Sequence, residues 1–386
     1  MKRIALLSTS ATTGGAAIVT AHLAEALRAR GHAVELFTLP SGRRELKPSF
    51  LAERLGIFLR NGLRRDSLFK VSTADFGTSG IVERVARFRP DAIILGWVNQ
   101  GFLSLGQIRR LGALAPLTWV MHDMWNFTGI CHHSLGCLRF SGECGQCPML
   151  APAVRDDNDL SHKGWRRKRR LYAEVPVRFV AVSSWVRDMA HRSSLLRDAR
   201  VEVIPNVYPL ERYRIGVKEP GLIVMGAERL DDPIKGLRHA IDALNLLPPS
   251  LGAHVVFFGR VKDQDAFAGL RVPFEAAGPL DGRGVADLLG RAQAVLSTSL
   301  YETLGNTLVE GQASGAVPVA YDRGGQTDVI EHMQSGFLAP FGDVAAVARG
   351  VEWALSGRVS PQSLREAAEA HFSADAVAAR FERLIF

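Results

Sequence analysis

Glu302 and Glu310 stand eight positions apart in Tyr301-Glu302-Thr303-Leu304-Gly305-Asn306-Thr307-Leu308-Val309-Glu310, a spacing with chemical content. The apolar run Ala294-Val295-Leu296-Ser297-Thr298 ahead of them reads as a buried strand, and Leu308 to Ser314 reads as a helix. That arrangement puts Glu302 in a strand-to-helix turn and Glu310 in the first turns of the helix. Gly305 lets the amides of Gly305, Asn306, Thr307 and Leu308 turn toward one anion, where the helix dipole adds favourable field. A carboxylate on each side accepts hydrogen bonds only, which suits hydroxyl-rich groups at both ends of a diphosphate. The plainer alternative is a capping box, with Thr307-x-x-Glu310 satisfying the helix start.

A second constellation supplies the complementary charge. Gly226-Ala227-Glu228-Arg229-Leu230-Asp231-Asp232-Pro233-Ile234-Lys235-Gly236 follows the strand Leu222-Ile223-Val224-Met225 and leads into a helix over about 235–247. Arg229 and Lys235 thus flank a loop at the carboxyl end of a strand, where open α/β sheets bind ligands. A planar fork and a compact point charge together suit a pyrophosphate, although both cations also have Glu228, Asp231 and Asp232 nearby. Gly14-Gly15 forms a tight turn between the first apolar strand and a helix carrying Val19, Leu23, Ala26 and Leu27. His122 ends the apolar run Thr118-Trp119-Val120-Met121, again at a strand's carboxyl end.

Together these features resemble the retaining nucleotide-sugar glycosyltransferases of family four, with their Glu-x7-Glu motif, glycine-rich first loop and Arg-x5-Lys pair. The resemblance covers essentially the whole chain and implies the GT-B fold, two Rossmann-like domains facing each other across a cleft. It implies that Glu310 holds ribose hydroxyls, Glu302 holds sugar hydroxyls near the reacting carbon, and His122 binds another from the opposite domain. Arg229, Lys235 and the amides around Gly305 would stabilise the departing diphosphate, with no divalent metal needed and no dedicated protein base. Gly259-Arg260 and the loop at Gly278-Pro279-Leu280 are expected to border the base.

All four cysteines fall within one window as Cys131-x5-Cys137-x6-Cys144-x2-Cys147, ending in a CxxC knuckle. In a cytoplasmic protein this pattern favours a structural zinc held by four thiolates, with plain thiols and disulfides as the other readings. His132 and His133 could replace one ligand. The run from His122 through Pro148, a His-Asp-Met-Trp stretch before a four-cysteine loop, resembles bacterial polysaccharide-assembly transferases of the colanic-acid type. That likeness implies a glycan acceptor, lipid-linked in the expected setting.

The elements that must position these groups alternate between strand and helix, the pattern of an α/β parallel-sheet protein. N-terminal strands are predicted at 2–8, 32–38, 91–96, 117–121, 178–183 and 201–204, and C-terminal strands at 222–226, 254–258, 294–298, 317–320 and 337–339. Residues 40–80 read as an irregular basic insertion. Pro205-Asn206 marks the boundary, giving an acceptor-side domain 1–204 and a donor-side domain 205–372. By resemblance the helix 373–386 packs back on the first.

Charge changes sign at the same place. Residues 1–204 carry 30 Lys and Arg against 17 Asp and Glu, whereas residues 205–386 carry 17 against 22. The basic excess concentrates in 50–65, apolar and cationic at helical spacing, and in Lys163-Gly164-Trp165-Arg166-Arg167-Lys168-Arg169-Arg170. Each such cation contributes about 1 kcal/mol near anionic lipid, so docking on the inner membrane face is one reading and a solvated helix face the other. No apolar run approaches the roughly 18 residues of a membrane span, and the expected compartment is the cytoplasm. The readings to separate are a glycosyltransferase, an epimerase or phosphorylase of the same fold, and a zinc-containing nucleic-acid-binding protein. The last leaves the acidic C-terminal half unexplained, so no nucleic-acid partner is expected.

Overall fold

A computed structural model describes residues 1–39, 47–65 and 68–386. Its strands are β1 (Arg3–Leu7), β2 (Ala33–Phe37), β3 (Ala92–Leu95), β4 (Leu117–Met121), β5 (Val177–Ala181), β6 (Val201–Val203), β7 (Leu222–Arg229), β8 (His254–Arg260), β9 (Phe274–Gly278), β10 (Ala294–Ser297), β11 (Val317–Tyr321) and β12 (Phe337–Ala339). Its helices are α1 (Gly15–Ala29), α2 (Pro48–Arg60), α3 (Ile81–Phe88), α4 (Leu105–Gly112), α5 (Leu160–Glu174), α6 (Ser184–His191), α7 (Leu237–Leu244), α8 (Gly282–Arg291), α9 (Asn306–Ala313), α10 (Val344–Leu355), α11 (Pro361–Phe372) and α12 (Ala374–Ile385). Contacts divide the chain into one unit of Met1–Asn206 with Ala378–Phe386 and another of Val207–Val377.

The first unit is built on a parallel sheet in the order β2-β1-β3-β4-β5-β6. Central strands β1, β3 and β4 are buried along nearly their full length, as expected when helices cover both faces. Strand order reverses between β1 and β3, so the Gly14-Gly15 turn after β1 lies at the switch point. The second unit has the parallel order β12-β11-β10-β7-β8-β9, with its reversal between β7 and β10. Its core joins Ile223, Met225, Phe257, Leu296, Val319 and Tyr321 from the strands to Leu237, Ile241 and Val347 from the helices. Both sheets are Rossmann-like.

Three expectations need correction. Within the stretch read as an irregular insertion, residues 48–60 form α2, in keeping with the helical spacing noted at 50–65 and started by Pro48 in the first turn where its missing N–H costs nothing. Positions 40–46 and 66–67 of that stretch lie outside the described residues. Strand β9 was not anticipated, because Phe-Glu-Ala-Ala-Gly has no β-branched residue and lies largely exposed at the sheet edge. The cluster 163–170 keeps Lys163, Arg166, Arg169 and Arg170 exposed, but its tryptophan is no exposed anchor. It belongs to α5, where Trp165 and Lys168 are buried and Arg167 is bound to Asp75 and the Thr73 carbonyl.

Candidate active site

The loops after β7 and β10 leave the second sheet side by side at its switch point, where the peptide ends of neighbouring strands open a crevice. Gly236 fastens them together. It sits at φ 64°, and a Cβ there would come within 2.1 Å of the Thr298 carbonyl oxygen. The Thr298 hydroxyl donates to the Gly236 carbonyl at 2.9 Å, and Leu300 N–H donates to the Ile234 carbonyl at 2.8 Å. Lys235 is thereby carried to Glu302, 67 positions away, with Nζ 2.8 Å from Oε2. Burial alone would lower the Lys235 pKa, but the Glu302 carboxylate prevails and raises it, so the ammonium is retained.

Gly305 caps α9 at φ 100°, a backbone region glycine enters without steric cost. Leu308 and Val309 N–H groups close onto the Gly305 carbonyl, at 3.0 and 3.3 Å. The amides of Asn306 and Thr307 open the helix, where helical geometry provides no acceptor. No side-chain cap bond forms at this end, so Thr307 and Glu310 do not make the capping box. The Asn306 side chain instead accepts from the Tyr208 hydroxyl at 2.6 Å.

Glu310 is hydrogen-bonded to Tyr213, and burial pushes its pKa up to about 7 despite that bond. Arg365 of α11 holds this corner, donating to the carbonyls of Leu210, Tyr213 and Ala313. Sequence reasoning missed Tyr213 and Arg365 because nothing local pairs them with Glu310.

Arg229 is placed less favourably than expected. Its Nε donates to Asp231 at 2.9 Å, and the other Asp231 oxygen accepts from Lys262 and Asp263 N–H groups. The guanidinium holds the Asp231 carboxyl down to about 2 while remaining half-exposed itself. Arg260, at the end of β8, pairs with Glu228 at 2.7 Å, both exposed. At Gly259 a Cβ would collide with the Ala227 carbonyl, so this glycine serves strand packing.

In the first unit, Gly14 at φ 89° caps α1, and Gly15 is its first residue. His122 follows β4 and is half-buried; desolvation pulls its pKa down to about 4, so the ring is neutral at physiological pH. Behind it lies a network that sequence reasoning did not assign. Asp123 accepts from Trp97 Nε1 at 2.8 Å and from Trp125 N–H at 2.8 Å, and meets His132 Nδ1 at 2.7 Å. Asp123 orients the His132 ring through Nδ1 and leaves Nε2 as its other ring nitrogen, the arrangement in which a carboxylate supports a metal-ligating histidine. The four cysteines are free thiols lining one small cavity of about 20 Å³. Among the described residues, no three His, Cys, Asp or Glu side chains already stand at metal-binding spacing.

Comparison with known proteins agrees with this geometry. The family model described as Glycosyltransferase Family 4 matches residues 13–212, and that described as Glycosyl transferases group 1 matches residues 211–371. A D-inositol 3-phosphate glycosyltransferase of Jonesia denitrificans is 26% identical over 392 residues, covering 93% of this chain and 87% of its own. The putative glycosyltransferase EpsD of Bacillus subtilis is 29% identical over 157 residues, 38% of this chain and 40% of its own. Among solved structures, Anabaena Alr3699/HepE in complex with UDP and glucose superposes with a TM-score of 0.62 at 18% identity, covering 100% of this chain and 99% of that one. Sucrose-phosphate synthase of Thermosynechococcus elongatus gives 0.65 at 17% identity, covering 100% and 98%. With two parallel Rossmann-like sheets of GT-B type, the chain belongs to glycosyltransferase family 4.

Proposed function

We propose that this glycosyltransferase moves a sugar from a nucleoside diphosphate sugar to a glycan acceptor with retention at the anomeric carbon. The observation that carries the proposal is the Lys235–Glu302 contact at the sheet switch point, beside the glycine-capped start of α9. Breaking the sugar–phosphate bond places charge on the diphosphate. Lys235 and the first amides of α9 meet that charge as fixed dipoles and a fixed cation, without reorganisation during the reaction. Arg229 joins them by exchanging Asp231 for phosphate. Glu302, already bonded to Lys235, presents its carboxylate to sugar hydroxyls, and Glu310 presents one to the ribose. His122, as a neutral imidazole, hydrogen-bonds a hydroxyl. In this scheme the charge is met by protein groups, so a divalent ion is not needed for the chemistry, and the departing phosphate assists attack on the same face. UDP and glucose bound to the HepE neighbour support a nucleotide-sugar donor. The test is ligand-induced melting with UDP, GDP, ADP and CDP. At least one should raise the transition, while an oligonucleotide should not; no response to any diphosphate would sink the reading.

For the acceptor, we favour a lipid-linked glycan at an anionic membrane surface. On α2, Leu51, Leu55 and Leu59 are 51%, 57% and 58% exposed at successive four-residue steps, with Arg60, Arg64 and Arg65 following. A leucine stripe beside cations suits shallow insertion between lipid headgroups. Among the described residues, no helix is long and apolar enough to cross a membrane. Sedimentation with anionic vesicles at low salt tests docking, and protein left in the supernatant would exclude it.

A further inference from the structure

The segment between β4 and α5 spans residues 122–159 with only short 3-10 turns, yet Ile130, Phe140 and Leu150 within it are buried. So long a stretch without regular structure needs a cross-link or a core of its own to stay folded. Ile130, Cys147 and Leu150 pack with Ile57, Val71 and Leu160, and Met124, Trp125, Phe127 and Phe140 of the segment are buried too, but no regular helix or strand runs through it. What it does have is four thiols facing one cavity of about 20 Å³. A volume of about 10–15 Å³ suffices for one water, so this space admits a single ion and little else.

The backbone around the thiols is curled for a ligand. Cys144, Gly145 and Gln146 take φ of 60°, 85° and 47°, a run of left-handed residues that makes a tight backbone turn between Cys144 and Cys147. Non-glycine residues adopt such angles at a cost, and two of them adjoin a glycine here. Met149 N–H is directed at the Cys147 sulfur and Gly129 N–H at the Cys144 sulfur, as donors to thiolates would be.

A buried cation completes the arrangement. Lys168 of α5 is 1% exposed, donates to the carbonyls of Trp125 and Thr128, and lies 3.4 Å from the centre of the Trp125 ring. The Cys131 and Cys144 side chains lie near its ammonium, as does the Asp123 carboxylate. Burying an ammonium on carbonyls alone is expensive, whereas a tetrathiolate zinc centre carries two negative charges.

We propose that Cys131, Cys137, Cys144 and Cys147 bind one structural zinc ion, with Lys168 as its buried counter-ion. The thiols lose four protons on binding and close inward, since they do not stand as a ready metal-binding group in this structure. The ion staples the segment to α5 and fixes Cys131, and with it the adjoining His132, on Asp123 behind the end of β4.

The test uses the full chain purified without chelator. Metal analysis should find about one zinc per chain, with the four thiols unreactive until a chelator withdraws it. Cobalt substitution should give the ligand-field spectrum of a four-sulfur tetrahedral site, which also serves if Cys144→Ser fails to fold. Lys168→Met should keep all four thiols but hold zinc about 10- to 100-fold more weakly, the range for lost outer-shell partners. Less than about 0.2 zinc per chain from zinc-supplied cells with freely reacting thiols, or two disulfides by mass spectrometry, would overturn the site. Unchanged zinc affinity in Lys168→Met would overturn the counter-ion.

Discussion

Glu310 gives a pH dependence that can be worked out in advance. Its pKa is about 7 in the folded protein against an ordinary 4.5, because burial penalises the carboxylate more than Tyr213 compensates. Below pH 4.5 both folded and unfolded chains hold the proton, and the residue has no effect on the balance. Between 4.5 and 7 the unfolded chain releases the proton while the native one keeps it, so stability falls as pH rises. The loss levels off above 7 at about 3 kcal/mol, because each pH unit separating the folded and unfolded values is worth about 1.36 kcal/mol. Glu310→Gln removes this slope while keeping a hydrogen-bonding side chain of the same length. Melting curves of both proteins from pH 4.5 to 8.5 should coincide at the acid end and separate with rising pH, the variant becoming the more stable. For a unit of this size about 3 kcal/mol corresponds to roughly 6–12 °C. Parallel curves across the range would refute the reasoning. Nucleotide binding adds an independent check: a ribose hydroxyl needs the carboxylate as acceptor, so binding near pH 7 should release protons in wild type and none from this site in Glu310→Gln.

The remaining expectations concern the loops and the surface. Lys235→Ala should lower turnover by about 10²-fold or more, as for a lost oxyanion donor. Arg229→Ala should cost less, since Asp231 already occupies its guanidinium; a double variant with wild-type rates would contradict both roles. Gly236→Ala should destabilise by about 1–3 kcal/mol and weaken nucleotide binding, because a Cβ meets the Thr298 carbonyl at a strained φ; denaturant titration with an unchanged midpoint would disprove this. Replacing Leu51, Leu55 and Leu59 together by Ser should abolish vesicle sedimentation with little effect on folding, since these side chains are already exposed. Retained sedimentation would reject the leucine stripe.

Much of the fold was readable because buried parallel strands are continuous apolar runs. Ile-Ala-Leu-Leu in β1 and Ala-Val-Leu in β10 announce themselves, and the residues after them then fall at carboxyl ends. Edge strand β9 lacked that signal, being paired on one side with little to bury. The end of β7 was also short in the sequence reading, since Gly-Ala-Glu-Arg reads as loop although the strand continues past an irregularity between Gly226 and Arg229. Glu302 and Lys235 were legible as separate motifs, and their contact was not, since it depends on Gly236 seating against Thr298. The Tyr213–Glu310 pair is a long-range contact and the Asp123–His132 pair forms within an irregular loop, so periodicity shows neither. In the run of cations at 163–170, Lys163, Arg166, Arg169 and Arg170 stay exposed as a charge run suggests, but tertiary packing took Trp165 and Lys168 inside.

The central claim is that Lys235 and the opening of α9 form one cradle for a diphosphate. Calorimetric titration of wild type and Lys235→Ala with the nucleoside diphosphate that most raises the melting transition tests it directly. Saturable binding to wild type, weakened about tenfold or more in the variant, is the result expected for a lost charge-assisted contact. Equal affinity in the two proteins would contradict it.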